Sequence, residues 1–163
     1  VGLDDLRSTA VITPGVLGQT GTESSEIVRG VCTVVQPAAV VVIDALAARS
    51  VARLGCTVQL CDTGIAPGSG VGNNRRPLGR ETLGVPVIGM GVPTVVDAGT
   101  IAREFSGGGE EPPDLSPRGE QMMVTPREVD VMIHRAARLV AMAVNGCLQP
   151  AYSPLELIAV ARS

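Results

Sequence analysis

The chain has 163 residues, 45% of them apolar, which is long enough for one domain with a sizeable core. Its net charge of −3 argues against nucleic acid as a direct ligand, since phosphate neutralisation needs clustered cations. Phe105 and Tyr152 are the only aromatics, so Val, Ile, Leu, Ala and Met must build that core.

Cys32, Cys56, Cys61 and Cys147 show no CxxC spacing and lie in apolar segments, which reads as small buried hydrophobes in a reducing compartment. No run approaches the roughly 18 uninterrupted apolar residues of a membrane span, and no signal peptide is recognisable. The expectation is a soluble, intracellular protein with no membrane partner. Val1 is not Met, which points to processing or to a piece of a longer polypeptide.

Along the chain, Ser8 to Ile12 is a candidate short strand. Thr20-Gly21-Thr22-Glu23 has capping-box spacing, and Ile27, Val28, Val31, Val34 and Val35 recur at helical intervals until Pro37. Ala39 to Ile43 is apolar on both faces, as in a buried central parallel strand, and passes into a helix over about Leu46 to Leu54 that Gly55 ends. Cys56, Val58 and Leu60 alternate with polar residues, as in a strand nearer the sheet edge. The glycine-rich stretch 62–76 admits no regular element.

Pro86 to Val92 predicts another strand, and Pro93-Thr94 opens a helix through Val95, Val96, Ile101 and Ala102. Residues 106–121 form a flexible Gly/Pro/acid-rich linker. Thr125-Pro126-Arg127-Glu128 then caps a helix to about Asn145-Gly146, with Val129, Ile133, Ala136, Val140 and Val144 on one face. His134, beside that stripe, reads as a partly exposed helix residue rather than a ligand. The order β-α-β-loop-β-α predicts a single α/β domain over 1–163, three layers deep, with a mainly parallel sheet and helices on both faces.

Three acids follow apolar runs: Asp44, Asp62 and Asp97. Asp44 stands where ligand crevices of open α/β sheets lie, and it is equally a good N-cap for the following helix. Two carboxylates sharing a site split their pKa values, one acting as base toward water and the other as acid, and this is the chemistry the acids suggest. Gly68, Gly70 and Gly72 give GxGxG, but Asn73 stands where a dinucleotide fingerprint needs glycine, and no P-loop lysine is present. These glycines are either turns at a strand end or backbone brought close to a substrate. With one His and no acid–His cluster, neither a metal nor another cofactor is expected, and no GxSxG elbow supports a serine hydrolase.

Five blocks in one order carry a further signal: TPGVLGQTGTESSEIVRGV (13–31), VVIDALAARS (41–50), DTGIAPGSGVGNNRR (62–76), ETLGVPVIGMGVPTVVDAGTIA (81–102) and MVTPREVDVMIHRAARLVA (123–141). Together they closely resemble the spore germination protease, the endopeptidase that degrades small acid-soluble spore proteins when spores of Bacillus and Clostridium relatives germinate. The resemblance implies an atypical aspartic peptidase with an α/β fold like that of hydrogenase maturation peptidases, oligomeric, made as a zymogen and working in the cytoplasm of the spore core. Members use two aspartates. One carries over to Asp44, and the other lies in a segment upstream of the PGVLGQTG block, so this chain resembles the C-terminal portion and takes its second acid from an upstream segment or chain.

Asp62 and Asp97 are candidates for supporting roles, with turn or helix caps as the alternative. Gly68, Ser69, Gly70 and Asn73 are candidates to shape the substrate channel, and Arg75 and Arg76 to attract acidic residues near the scissile bond or to form a solvated loop pair. The chain departs from the family's HPGSGVGN pattern at Ala66, and its linker is shorter. A noncatalytic subunit or assembly module is the competing class.

Overall fold

A computed structural model describes residues 6–69, 75–106 and 116–160. The chain forms two compact units, one over 12–127 and the other from the N-terminal residues and 128–163. The larger begins with α1 (Leu17–Thr20) and α2 (Ser24–Val35), then β1 (Val40–Ala48), β2 (Gln59–Cys61), α3 (Arg80–Leu83), β3 (Val87–Asp97), α4 (Ala98–Phe105), α5 (Pro117–Glu120) and β4 (Met123–Val124). The chain is α/β with a mixed four-stranded sheet in the order β1-β3-β2, and β4 also pairs with β3. Among the described residues only the longest pairing, β1 with β3, is parallel; β2 and β4 run antiparallel to β3.

The segment after Val40 departs most from expectation. β1 continues through Asp44 to Ala48, and a short 3-10 turn at Val51–Arg53 replaces the helix expected over Leu46 to Leu54. Helix propensity in ALAARS is a weak prior, and nine residues of ladder with β3 override it. β1 is therefore not central. Among the described residues it pairs with β3 alone, its even-numbered side chains partly covered and Val41 and Ile43 exposed on the other face.

β3 is the central strand and runs five residues further than expected, so Val95 and Val96 are strand rather than helix. Pro93 is tolerated there because its backbone faces away from β1, on the side where the β2 ladder ends at Gly91 and the Gly55 N–H donates to the Pro93 carbonyl, so no ladder N–H is needed. The β-branched run through Val96 favours strand, and the helix begins only where Asp97 caps it.

No strand forms over Ser8 to Ile12. α2 matches the helix expected before Pro37, although no side chain caps it. The fully buried cluster joins Val28 of α2 to Leu78, Leu83 and Val87, with Cys32, Val40, Val42 and Val85 packed against it. This core lies on one face of the sheet. Cys56, Cys61 and Cys147 are exposed and Cys32 is half-buried, so the cysteines are not the buried hydrophobes expected. Ser116 caps α5 inside the stretch expected to be a flexible linker, while 107–115 lie outside the described residues.

The smaller unit contains α6 (Val129–Leu148) and α7 (Pro154–Val160), and Gln149 ties residue 7 to it through two hydrogen bonds with the Arg7 backbone. α6 starts after Glu128, later than the Thr125-Pro126 signal, and no side chain caps it. Val129, Ala136, Val140 and Val144 share its more buried stripe, while Ile133 and His134 are exposed. By length and a mean hydropathy of 1.2, α6 is long and apolar enough to cross a membrane. Arg135 and Arg138 lie well inside it, and each costs about 3 kcal/mol at a bilayer centre.

Candidate active site

Asp44 lies at the middle of β1, in register with Gly91 of β3. Its side chain shares the face of Val40 and Val42, the face on which the core packs. Val40 N–H donates to the Pro86 carbonyl, which fixes the alternation: even-numbered amides of β1 point to β3, and those of Val41, Ile43 and Ala45 point to the outer edge. Ala45 N–H donates to Asp44 Oδ1 at 2.9 Å. The carboxylate is thereby turned toward the outer edge of β1. Gly91 supports this arrangement, because a Cβ there would strike the Leu46 side chain that lies across it.

Burial pushes the Asp44 carboxyl above its ordinary value, outweighing the Ala45 N–H and the Arg75 guanidinium, both of which favour the charged form. Asp44 is thus neither at a strand end nor a helix cap. It is a half-buried acid on a strand, held by one backbone donor.

The other two acids do not join it. Asp97 is the N-cap of α4: its Oδ1 accepts from Thr100 N–H at 2.7 Å and its Oδ2 from the Thr100 hydroxyl at 2.6 Å, with an Arg103 nitrogen 3.9 Å away. The Thr100 hydroxyl bond holds its carboxyl below the ordinary value. Six residues separate it from Gly91 along β3, so it stands about 20 Å from Asp44. Asp62 is exposed just beyond β2, three residues from the Gln59 that pairs with Gly91, and by strand spacing its Cα lies about 14 Å from that of Asp44. Neither acid can share a water with Asp44.

The glycine loop returns to Asp44. Ile65 and Leu78 exchange backbone hydrogen bonds of 3.0 and 2.7 Å, closing the neck of the loop. Gly64, at φ +89°, makes the neck possible, since a Cβ there would collide with the Leu78 carbonyl. Gly68 also has a positive φ, and Ser69 N–H closes a turn onto Ala66. Gly70 and Asn73 lie outside the described residues. On the returning segment the Arg75 guanidinium favours the charged form of Asp44, while Arg76 pairs with Glu26 in the first turn of α2 at 3.8 Å. The Arg76 pair thus ties the end of the loop to the first turn of α2.

That link exposes a residue the sequence reading passed over. Ser25 is 4% exposed, and its hydroxyl has no hydrogen-bond partner among the described residues. It stands three residues before Val28 and seven before Cys32, on the face of α2 that packs against the sheet. Helical spacing back from Val28 was the available signal, obscured because serine is not counted in an apolar stripe. Among the described residues no group of three His, Cys, Asp or Glu is arranged to hold a metal.

Comparison with known proteins gives the family. The sequence profile of the germination protease family matches residues 3–105. The chain is 41% identical to a germination protease of Caldanaerobacter subterraneus subsp. tengcongensis and 40% identical to one of Clostridium acetobutylicum, in each case covering 94% of this chain and 56% of the relative. A Bacillus cereus germination protease is 37% identical over 89% of this chain and 56% of its own length. The chain therefore spans a little over half the length of these relatives, and it belongs to the germination protease family.

Proposed function

We propose that this chain supplies one catalytic carboxyl, Asp44, to an aspartic-type endopeptidase that cleaves small acid-soluble spore proteins in the spore core during germination. The observation that carries this reading is the state of Asp44: a half-buried carboxyl, raised above its ordinary value, turned to the edge of a strand with Arg75 nearby. A carboxyl so placed holds a proton more readily than a surface acid, which suits the general acid of an unequal pair.

The partner carboxylate takes a proton from water as the water oxygen bonds to the scissile carbonyl carbon, and the carbonyl π pair moves to its oxygen. Collapse restores the carbonyl and breaks the C–N bond, with Asp44 protonating the leaving nitrogen. Because Asp62 and Asp97 stand too far away, the partner acid comes from an upstream segment or chain. The outer edge of β1, where the Val41, Ile43 and Ala45 amides point, is where such a segment would pair. Homo-oligomerisation is part of the same proposal.

The test is cleavage of a small acid-soluble spore protein by the 163-residue chain, alone and with the upstream segment, each with Asp44 or with Asp44→Asn. The expected result is turnover only with both parts present and Asp44 intact. Turnover by the Asp44→Asn form would overturn the reading. If the complemented chain folds and binds substrate but never cleaves it, the noncatalytic subunit is the correct description.

A further inference from the structure

We propose that Leu46, folded back along β1 onto Gly91, is a positioning residue for the peptidase reaction: its isobutyl group shields the Asp44 carboxyl from water on the side toward β3. The proposal rests on the peptidase reading of Asp44 and adds a residue to it.

Asp44 and Leu46 stand two residues apart on β1, ahead of the register shift, so their side chains share the core face. Leu46 is in register with Pro93, but its side chain leans back toward the row of Asp44. A Cβ built on Gly91 would lie 2.3 Å from Leu46 Cδ1, 2.4 Å from Cγ and 3.0 Å from Cδ2, and these are the three atoms nearest to it. The isobutyl group therefore fills the hollow that the missing side chain of residue 91 leaves. That hollow is the lateral neighbour of Asp44, because Gly91 is the β3 residue paired with it, one strand spacing of about 4.8 Å away. Gln59 of β2, in register with Gly91, ends the same row on the far side and brings no charge. The opposite flank of Asp44, where the Ala45 N–H holds Oδ1, is left to the outer edge.

Gly91 has no left-handed φ, so the room it leaves, rather than its backbone conformation, is what a side chain there would cost. A carbon wall on one flank of a carboxyl disfavours the charged form, and burial of this kind is the largest influence on Asp44. Neighbouring charges do not supply it. α2 carries Glu26 and Arg29, α3 carries Arg80 and Glu81, β2 carries Cys61, and β3 has no ionisable group from Val87 to Val96. Among the described residues the Arg75 guanidinium is the one charge that bears on Asp44, and it favours the charged form. Leu46 thus helps to hold Asp44 in the protonated state that a general acid needs, without touching a reacting atom. Because Asp44 gives its proton to the leaving nitrogen, cleavage slows as pH rises past its pKa, while the partner carboxylate governs the acid limb.

The experiment compares pH–rate profiles of wild type, Leu46→Ala and the double variant Leu46→Ala/Gly91→Ala in the cleavage-competent polypeptide. Leu46→Ala is expected to admit water beside Asp44 and move the alkaline limb to lower pH. On that limb kcat should fall roughly threefold or more, and on the acid limb it should stay within about twofold of wild type. In the double variant the new methyl at position 91 takes the place that Leu46 vacates, and the alkaline limb should move back toward wild type. Carbon NMR of the Asp44 carboxyl in the 163-residue chain should give titration midpoints in the same order, wild type highest, Leu46→Ala lowest and the double variant between. That measurement needs no cleavage, so it separates this proposal from the peptidase reading, whose failure shows as cleavage by Asp44→Asn. A rate loss equal at every pH, an Asp44 midpoint that Leu46→Ala leaves in place, or a double variant no closer to wild type than Leu46→Ala would each overturn the proposal.

Discussion

Thr100 grips both oxygens of the Asp97 carboxylate, its N–H donating to Oδ1 at 2.7 Å and its hydroxyl to Oδ2 at 2.6 Å. The acid is committed to opening α4, and its depressed pKa records that commitment. Asp97→Ala should therefore destabilise the fold by about 1 kcal/mol at neutral pH and leave cleavage chemistry intact. A carboxyl whose folded pKa lies below its unfolded value contributes stability above that unfolded value, near 3.8, and loses it as pH falls through the lower folded value. Urea titrations of wild type and Asp97→Ala should thus converge in acid below pH 3.8. A neutral-pH difference that persists unchanged at pH 2 would sink the capping account.

Asp44 has the opposite sign. Its folded pKa is raised, so the ionised form is disfavoured in the fold, and wild-type stability falls as pH rises from the unfolded value of 3.8 through the higher folded value. Asn keeps the Oδ1 that accepts the Ala45 N–H and removes the charge. Asp44→Asn should be as stable as wild type or slightly more so at pH 7, with the difference gone below pH 3.8, while cleavage is abolished. A variant that is clearly less stable at pH 7 and still cleaves would mark Asp44 as a structural residue.

Gly64 makes the neck of the loop and carries no chemistry of its own. At φ +89° with the Leu78 carbonyl where a Cβ would stand, Gly64→Ala is strained and must break the Ile65–Leu78 pairing. The expected cost is about 2 kcal/mol or more, together with loss of activity through displacement of Arg75. Gly18→Ala is the control, since nothing lies within 4 Å of a Cβ there and its φ is ordinary. If the two variants lose similar stability and activity, the neck does not position the site.

What the sequence revealed and what it concealed follow physical lines. The helix ending before Pro37 and the edge character of the strand near Leu60 were legible, because proline and alternation are local signals. The extension of β1 past Asp44 and of β3 past Val92 was not, because residues 45–48 and 92–96 acquire strand geometry by pairing with each other across the sheet. The same pairing moved the helix start to Asp97 and made a cap of an acid that local pattern left open. Ser25 was hidden for a different reason: its significance is the absence of a partner, which only packing can create.

Hydrogen exchange should read the sheet order directly. β3, with neighbours on both sides, is expected to hold the slowest amides of the larger unit, in place of the Val40 to Ile43 segment that the sequence suggested. Within β1 the rates should alternate. The amides of Val42, Asp44 and Leu46 point to β3 and should be protected, whereas those of Val41 and Ile43 point to the outer edge and should exchange quickly in the 163-residue chain. Ile43 of β1 and Leu60 of β2 flank Met90 in register, 54% and 66% exposed, so this apolar face of the sheet also favours association. If an upstream segment pairs with β1, adding it should slow Val41 and Ile43 specifically and leave Val42 and Leu46 almost unchanged. Uniform rates along β1, or protection of Val41 and Ile43 in dilute chain alone, would show that this edge is already occupied and that the partner acid must reach Asp44 by another route.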